Sequence, residues 1–253
     1  MDLTDIALLA GAGVVAGAVN AVAGGGTFFT FPALLAVGLP PVVANASNAV
    51  AVWPGHAAAI PASWDRLGTR RSGLLLRCAL ALVGGFLGSW LVLLTGDRLF
   101  GALIPWLLMF ATLLFASGAW LRSFLPARTA GAKLSPAALA VEFVFAIYGG
   151  YFGAGLGVLL MACLALLGHD DLHEANALKN LLATIITSVA VAVFVFAGVV
   201  AWVPTLCTLI GAATGGFIGA RLAQRVSAVW LRRAVIAVGS LLTAYFFWRT
   251  YRP

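Results

Sequence analysis

The chain has 253 residues, of which 62% are hydrophobic and only 9% charged, and its mean hydropathy is +1.05. A soluble domain carries about a quarter charged residues, so this chain cannot cover a globule with water-binding groups and much of its surface must face lipid. Its net charge of +7 fits the basic loops of an inner-membrane protein; no basic patch is interleaved with exposed aromatics, which argues against nucleic acid as a partner.

The length allows roughly eight helical passes and leaves no room for a soluble enzyme domain beside them. The sequence begins Met1-Asp2-Leu3-Thr4-Asp5 and lacks the basic start of a cleavable signal, so the first apolar run is expected to stay in place. Cys78, Cys163 and Cys207 lie singly in apolar stretches and read as small hydrophobes, neither a disulfide framework nor a metal set.

Lipid offers the backbone no partners, so spans are helices or closed barrels. Long runs rich in Leu, Ala and Val predict helices, hence an all-α polytopic bundle. The runs cover 6–23, 26–38, 43–62, 73–95 and 99–121, then 136–152, 155–168, 176–200, 203–222 and 229–248. Segments 26–38 and 155–168 are shorter than the about 20 residues a crossing needs. Each follows a glycine cluster, Gly24-Gly25-Gly26 or Gly153-Ala154-Gly155.

Charge then sets the topology. Arg66, Arg70, Arg71 and Arg77, then Arg122, Arg128 and Lys133, then Arg221, Arg225, Arg232 and Arg233 form three basic groups. With all three inside, 6–38 begins and ends outside and 136–168 begins and ends inside, so both are re-entrant hairpins. Both termini then lie on the periplasmic side, although Arg249 and Arg252 count mildly against this. One hairpin plus three crossings per half inserts the second half upside down, as in the inverted-topology repeats of secondary transporters. The predicted organisation is a first repeat over 1–125, a cytoplasmic linker over 126–135 with Pro126 and Gly131, and a second repeat over 136–253.

A glycine break exposes backbone amides, and the helix that follows presents free N–H groups and its positive dipole end, which attract anions. Two opposed hairpins would bring two such ends toward the bilayer midplane. The candidate binding residues here are Gly24, Gly25, Gly26 and Thr27, with Gly153, Gly155 and Gly157; close packing by small residues is the structural alternative.

Asn20, Asn45, Asn48, Asn176 and Asn180 lie in or beside apolar segments, where an amide must find a partner. Asn45 with Asn48, and Asn176 with Asn180, share helix faces. A pair following each hairpin points to a site lining, with interhelical bonding as the alternative. Lys179 either reaches the cytoplasmic surface or meets an anion inside. Glu142 either carries a coupling proton or pairs with an arginine, and His56 either relays protons or packs. His169 and His173 with Asp170, Asp171 and Glu174 read as a polar loop, since HExxH and cysteine ligands are lacking. Most of the eight tryptophans sit near segment ends, as in an interfacial belt.

The stretch NAVAGGGTFFTFP over 20–32, followed by Pro41 and ANASNAVAVWPG over 44–55, resembles the sulfite exporter TauE/SafE family. The second half repeats the pattern loosely as GGYFGAGLG over 149–157 and the 175–180 stretch, without a counterpart of Pro32 and with Lys179 near the place of Ser47 or Asn48. The resemblance covers nearly the whole chain. It implies a bacterial inner-membrane permease for sulfite, sulfoacetate or related organosulfur or organic anions.

Two other readings compete with a transporter. A membrane-embedded enzyme needs a nucleophile–base pair or a metal cluster within a span, and neither GxSxG nor HExxH occurs. A passive anion channel differs in rate and coupling. No cofactor is expected, and exact substrate, direction, coupling ion and a homodimeric state stay open at this stage.

Overall fold

The structure is a computed structural model that describes residues 1–22, 25–58, 60, 73–123, 136–166, 172–222 and 228–252. The proposed linker 126–135 lies outside the described residues, as do Gly24, His169, Asp170 and Asp171. The described residues form an all-helical bundle: α1 (Leu3–Val22), α2 (Thr27–Ala36), α3 (Pro41–Ala57), α4 (Leu74–Ser123), α5 (Pro136–Tyr151), α6 (Leu156–Leu166), α7 (Leu172–Phe196), α8 (Trp202–Leu222) and α9 (Ala228–Tyr251). Five of them are long and apolar enough to cross a membrane.

The predicted runs match these helices one for one, except that 73–95 and 99–121 are joined in α4. That helix breaks at Gly96, with φ 68° and ψ 168°, a conformation that glycine adopts readily. The two arms fold back on each other. A methyl group on Gly84 would touch Ala146, and one on Gly88 would touch Ile147 and Tyr151. The ring of Phe110, on the second arm, packs edge-on against Tyr148 with centroids 5.3 Å apart. Both arms therefore meet the same turns of α5, although a straight helix would hold Gly88 and Phe110 about 33 Å apart. Asp97, just past the break, accepts a 2.8 Å bond from the Val42 N–H, a favourable place for a carboxylate at the start of α3. Pro41 opens α3 at a position where its lack of an N–H costs nothing.

α1 and α2 form one antiparallel pair and α5 and α6 another. A methyl on Gly26 would meet the Ala16 carbonyl oxygen at 2.7 Å, and Cys163 of α6 faces the Ala138 carbonyl of α5 at 4.0 Å. α2 has 10 residues and α6 has 11, about half of a 30 Å hydrocarbon core in each case. The first pair is lopsided, since α1 is itself long enough to cross.

Each pair leans on a helix of the other half. Along α1 and α8, Gly211 meets Ala10, Gly215 meets Val14 and Gly219 meets Ala18, so the two run parallel with backbones in contact. Along α5 and the first arm of α4, Arg77 meets Glu142 and Gly88 meets Tyr151, again in parallel. Lipid tails are as apolar as the side chains, so close backbone packing and dispersion hold such contacts where a hydrophobic drive is lacking. Large apolar side chains face outward, including Leu75 at 86% and Phe196 at 91% exposure, as a lipid-facing surface allows. The centre is aromatic: Phe31 packs edge-on against Phe100 and Phe152, and Phe28 against Phe115.

Candidate functional site

The two hairpin tips are left-handed turns that only glycine adopts without strain. Gly25 has φ 93°, Gly153 φ 73° and Gly155 φ 75°. Gly26 caps α2 without a side-chain bond; the Phe28 and Phe29 N–H groups already donate to the Gly25 and Gly26 carbonyls at 3.1 and 2.9 Å, which leaves the Thr27 amide as the first-turn donor for another acceptor.

The tips converge on one ring. A methyl on Gly25 would sit 2.7 Å from Cζ of Phe115, and one on Gly155 would sit 3.5 Å from its Cε2. Phe115 is buried in the second arm of α4. Arg232 of α9 donates to its carbonyl through Nε at 2.9 Å and a terminal nitrogen at 2.7 Å.

Beside this ring lies a small cavity of about 20 Å³, lined by Thr27 at the first tip, Gly153 at the second, and Asn45, Asn48, His56 and Thr187. Asn45 Nδ2 donates to the Tyr151 carbonyl at 3.0 Å. The Thr30 hydroxyl donates to Oδ1 of Asn48 and lies 3.3 Å from the Gly26 carbonyl. An amide has two N–H donors and an oxygen with two lone pairs, so Asn48 uses one lone pair on Thr30 and Asn45 one donor on Tyr151. The hydroxyl of Thr187 turns back to the Ala183 carbonyl at 2.8 Å.

A cation lies near the cavity wall. Lys179 lies within electrostatic reach of His56, and a methyl on Gly157 would sit 3.8 Å from Cδ of Lys179. Asn20 approaches Gly55, next to His56, with Nδ2 3.7 Å from where a methyl there would be. Asn180 is half-buried beside Lys179 on α7.

The predicted residues thus fall in several places. Thr27, Asn45, Asn48, Gly153 and His56 share the cavity wall. Gly25 and Gly155 meet across Phe115, Gly26 packs on Ala16, Gly157 adjoins Lys179, and Asn20 approaches Gly55. Asn176 is exposed and takes no part in the lining. Glu142 is buried away from the cavity in an ion pair with Arg77, at 2.8 Å. The three cysteines are free.

Trp53 departs from the interfacial pattern. It is half-buried, and its indole N–H donates to Ser188 at 2.7 Å. Sequence reasoning passed over Thr30, Thr187 and Phe115. The two threonines carried a signal, hydroxyls in otherwise apolar runs; Phe115 carried none among sixteen phenylalanines.

A helical bundle with outward apolar faces, two short helices that turn back, and a small cavity lined by amide, hydroxyl and apolar groups is a polytopic membrane protein. The family profile described as "Sulfite exporter TauE/SafE" matches residues 9–246, and the chain belongs to that family. It is 25% identical over 245 residues to a "Probable membrane transporter protein" of Haemophilus influenzae, covering 94% of this chain and 93% of the relative. It is 26% identical to "Probable membrane transporter protein ORF9" of Sinorhizobium sp, over 94% of this chain and 90% of the relative. It is likewise 26% identical to "Probable membrane transporter protein YfcA" of Escherichia coli K12, over 91% and 85%. No solved structure matches the chain at a significant level. The chain is a multi-pass membrane transporter and not an enzyme.

Proposed function

We propose that this transporter carries a small anion, of the class of sulfite, sulfoacetate and related organosulfur or organic acids, by alternating access. The observation that carries the reading is the convergence of both glycine-broken tips on Phe115, beside a cavity that offers amide and hydroxyl groups. The anion meets the Thr27 amide and the N–H donors of Asn48, with Lys179, near His56, as the positive charge. A charge-assisted bond from such donors is about twice as strong as a neutral one, which favours an anion over a neutral guest. His56, on the cavity wall, is the candidate for a coupling proton.

Two features support inverted halves as the moving parts. The pairing of α1 with α8 mirrors that of α5 with the first arm of α4. The glycine-lined contact of α1 with α8 also suits sliding, whereas the Arg77–Glu142 pair fastens α5 to the first arm of α4. A cavity of about 20 Å³ holds a water-sized guest, which fits a closed state between two open ones. The family description favours sulfur oxyanions, and the basic loops favour both termini on the periplasmic side of a bacterial inner membrane.

Uptake of labelled sulfite and sulfoacetate into proteoliposomes tests the reading. Wild-type protein should show saturable flux, Lys179→Gln a flux reduced at least tenfold, and Asn48→Ala a raised KM. Absence of flux for sulfite, sulfoacetate, thiosulfate and simple carboxylates alike would sink the proposal.

A further inference from the structure

The helix that closes the polar cavity has a second working face. Thr187, Ala190 and Phe194 of α7 line the cavity, whereas Val189, Val193 and Phe196 line a groove of about 460 Å³ on the outside of the bundle. Its other wall is the first arm of α4, through Phe86, Trp90 and Leu93. The rings of Phe86 and Trp90 stack with centroids 6.0 Å and planes 17° apart, giving that wall a flat surface.

The surroundings select the occupant. Both walls belong to helices long and apolar enough to cross a membrane, 74–117 and 174–196, so the groove opens onto hydrocarbon. The groove's lining is apolar and offers water none of the polar partners it needs, and leaving the groove empty would forfeit dispersion contacts along its lining. Eight side chains line it, against about 20–30 residues that each partner brings to a stable protein interface. We propose that the groove is a binding site for a lipid acyl chain, in the leaflet at the end of the bundle that holds the Gly96 turn. The chain braces α7 from behind, across one helix thickness from the polar cavity. This inference stands independently of which solute is carried.

The test uses purified protein in phosphatidylcholine vesicles containing a trace of phosphatidylcholine with a photoreactive diazirine on its acyl chain. After irradiation, adducts on 86–93 and 189–197 should exceed those on the lipid-facing residues 203–218 of α8 several-fold. Val193→Trp or Ala192→Phe, each of which fills the groove, should remove the excess and leave labelling of α8 unchanged, which also reports that the variant has folded. Equal labelling of both faces, or an excess that survives both substitutions, overturns the proposal. Ala192→Cys joining two copies by a disulfide in the vesicles, with loss of labelling, overturns it as well and assigns the groove to self-association.

Discussion

Asn45 donates from Nδ2 to the backbone carbonyl of Tyr151 at 3.0 Å, across 106 positions of sequence. The bond ties α3 to the last turn of α5, where helix carbonyls lack partners of their own. Asn45→Leu keeps much of the volume but removes the donor and strands a buried carbonyl. The expected loss is about 1 kcal/mol, read as a lowered Tm in detergent. Asn176→Leu, at an exposed position of α7, should leave Tm unchanged. Equal effects of the two would contradict the separate placing of these asparagines.

Gly25 and Gly155 make different demands although both turns are left-handed. An alanine at either position pays the backbone strain of about 1–2 kcal/mol. At Gly25 its methyl would also strike Phe115 at 2.7 Å, whereas at Gly155 it would rest at an ordinary 3.5 Å. Gly25→Ala should therefore lower Tm more than Gly155→Ala. In a Phe115→Ala background part of the Gly25→Ala loss should return and none of the Gly155→Ala loss, a coupling that a double-mutant cycle measures.

What the sequence disclosed was what depends on local chemistry. Apolar runs and glycine clusters placed every helix among the described residues, and the shortness of 26–38 and 155–168 marked the helices that became α2 and α6. The Gly96 break was legible because 73–95 and 99–121 are separated by Gly96, Asp97 and Arg98. Partnerships across the bundle were not legible. In helices apolar on every side, the face that an asparagine presents is set by tertiary packing and not by periodicity. Asn45 and Asn176 look alike in sequence, yet one lines the cavity and the other is exposed. The pairing of Glu142 with Arg77 spans 65 positions, and nothing between them fixes that register.

The contact of α1 with α8 gives a sharper test of close packing. A methyl on Gly215 would lie 1.9 Å from the Val14 carbonyl oxygen, a backbone atom that cannot swing aside, whereas Gly11 has open space around it. Gly215→Ala should separate the helices and cost about 1–3 kcal/mol. Gly11→Ala should be neutral or stabilising by up to about 1 kcal/mol, because alanine is the better helix former. Thermal unfolding of the two variants side by side decides it, and a tolerant Gly215 would mean that the helices do not touch there.

Arg77 and Glu142 join the first arm of α4 to α5, with Nε 2.9 Å and a terminal nitrogen 2.8 Å from Oε2 and both side chains almost fully buried. Removing one partner leaves the other charged and desolvated, so Glu142→Gln should destabilise by about 3–5 kcal/mol. Replacing both with apolar residues of similar volume, as Arg77→Met with Glu142→Leu, should recover most of that loss, since well-packed hydrophobes substitute for a buried ion pair at little cost. The same double variant separates packing from proton coupling. If the pair only fastens the hairpin, anion uptake keeps its wild-type pH profile once stability is restored. A flux that loses its pH dependence in the double variant while remaining intact in His56→Gln would move the coupling role from His56 to Glu142.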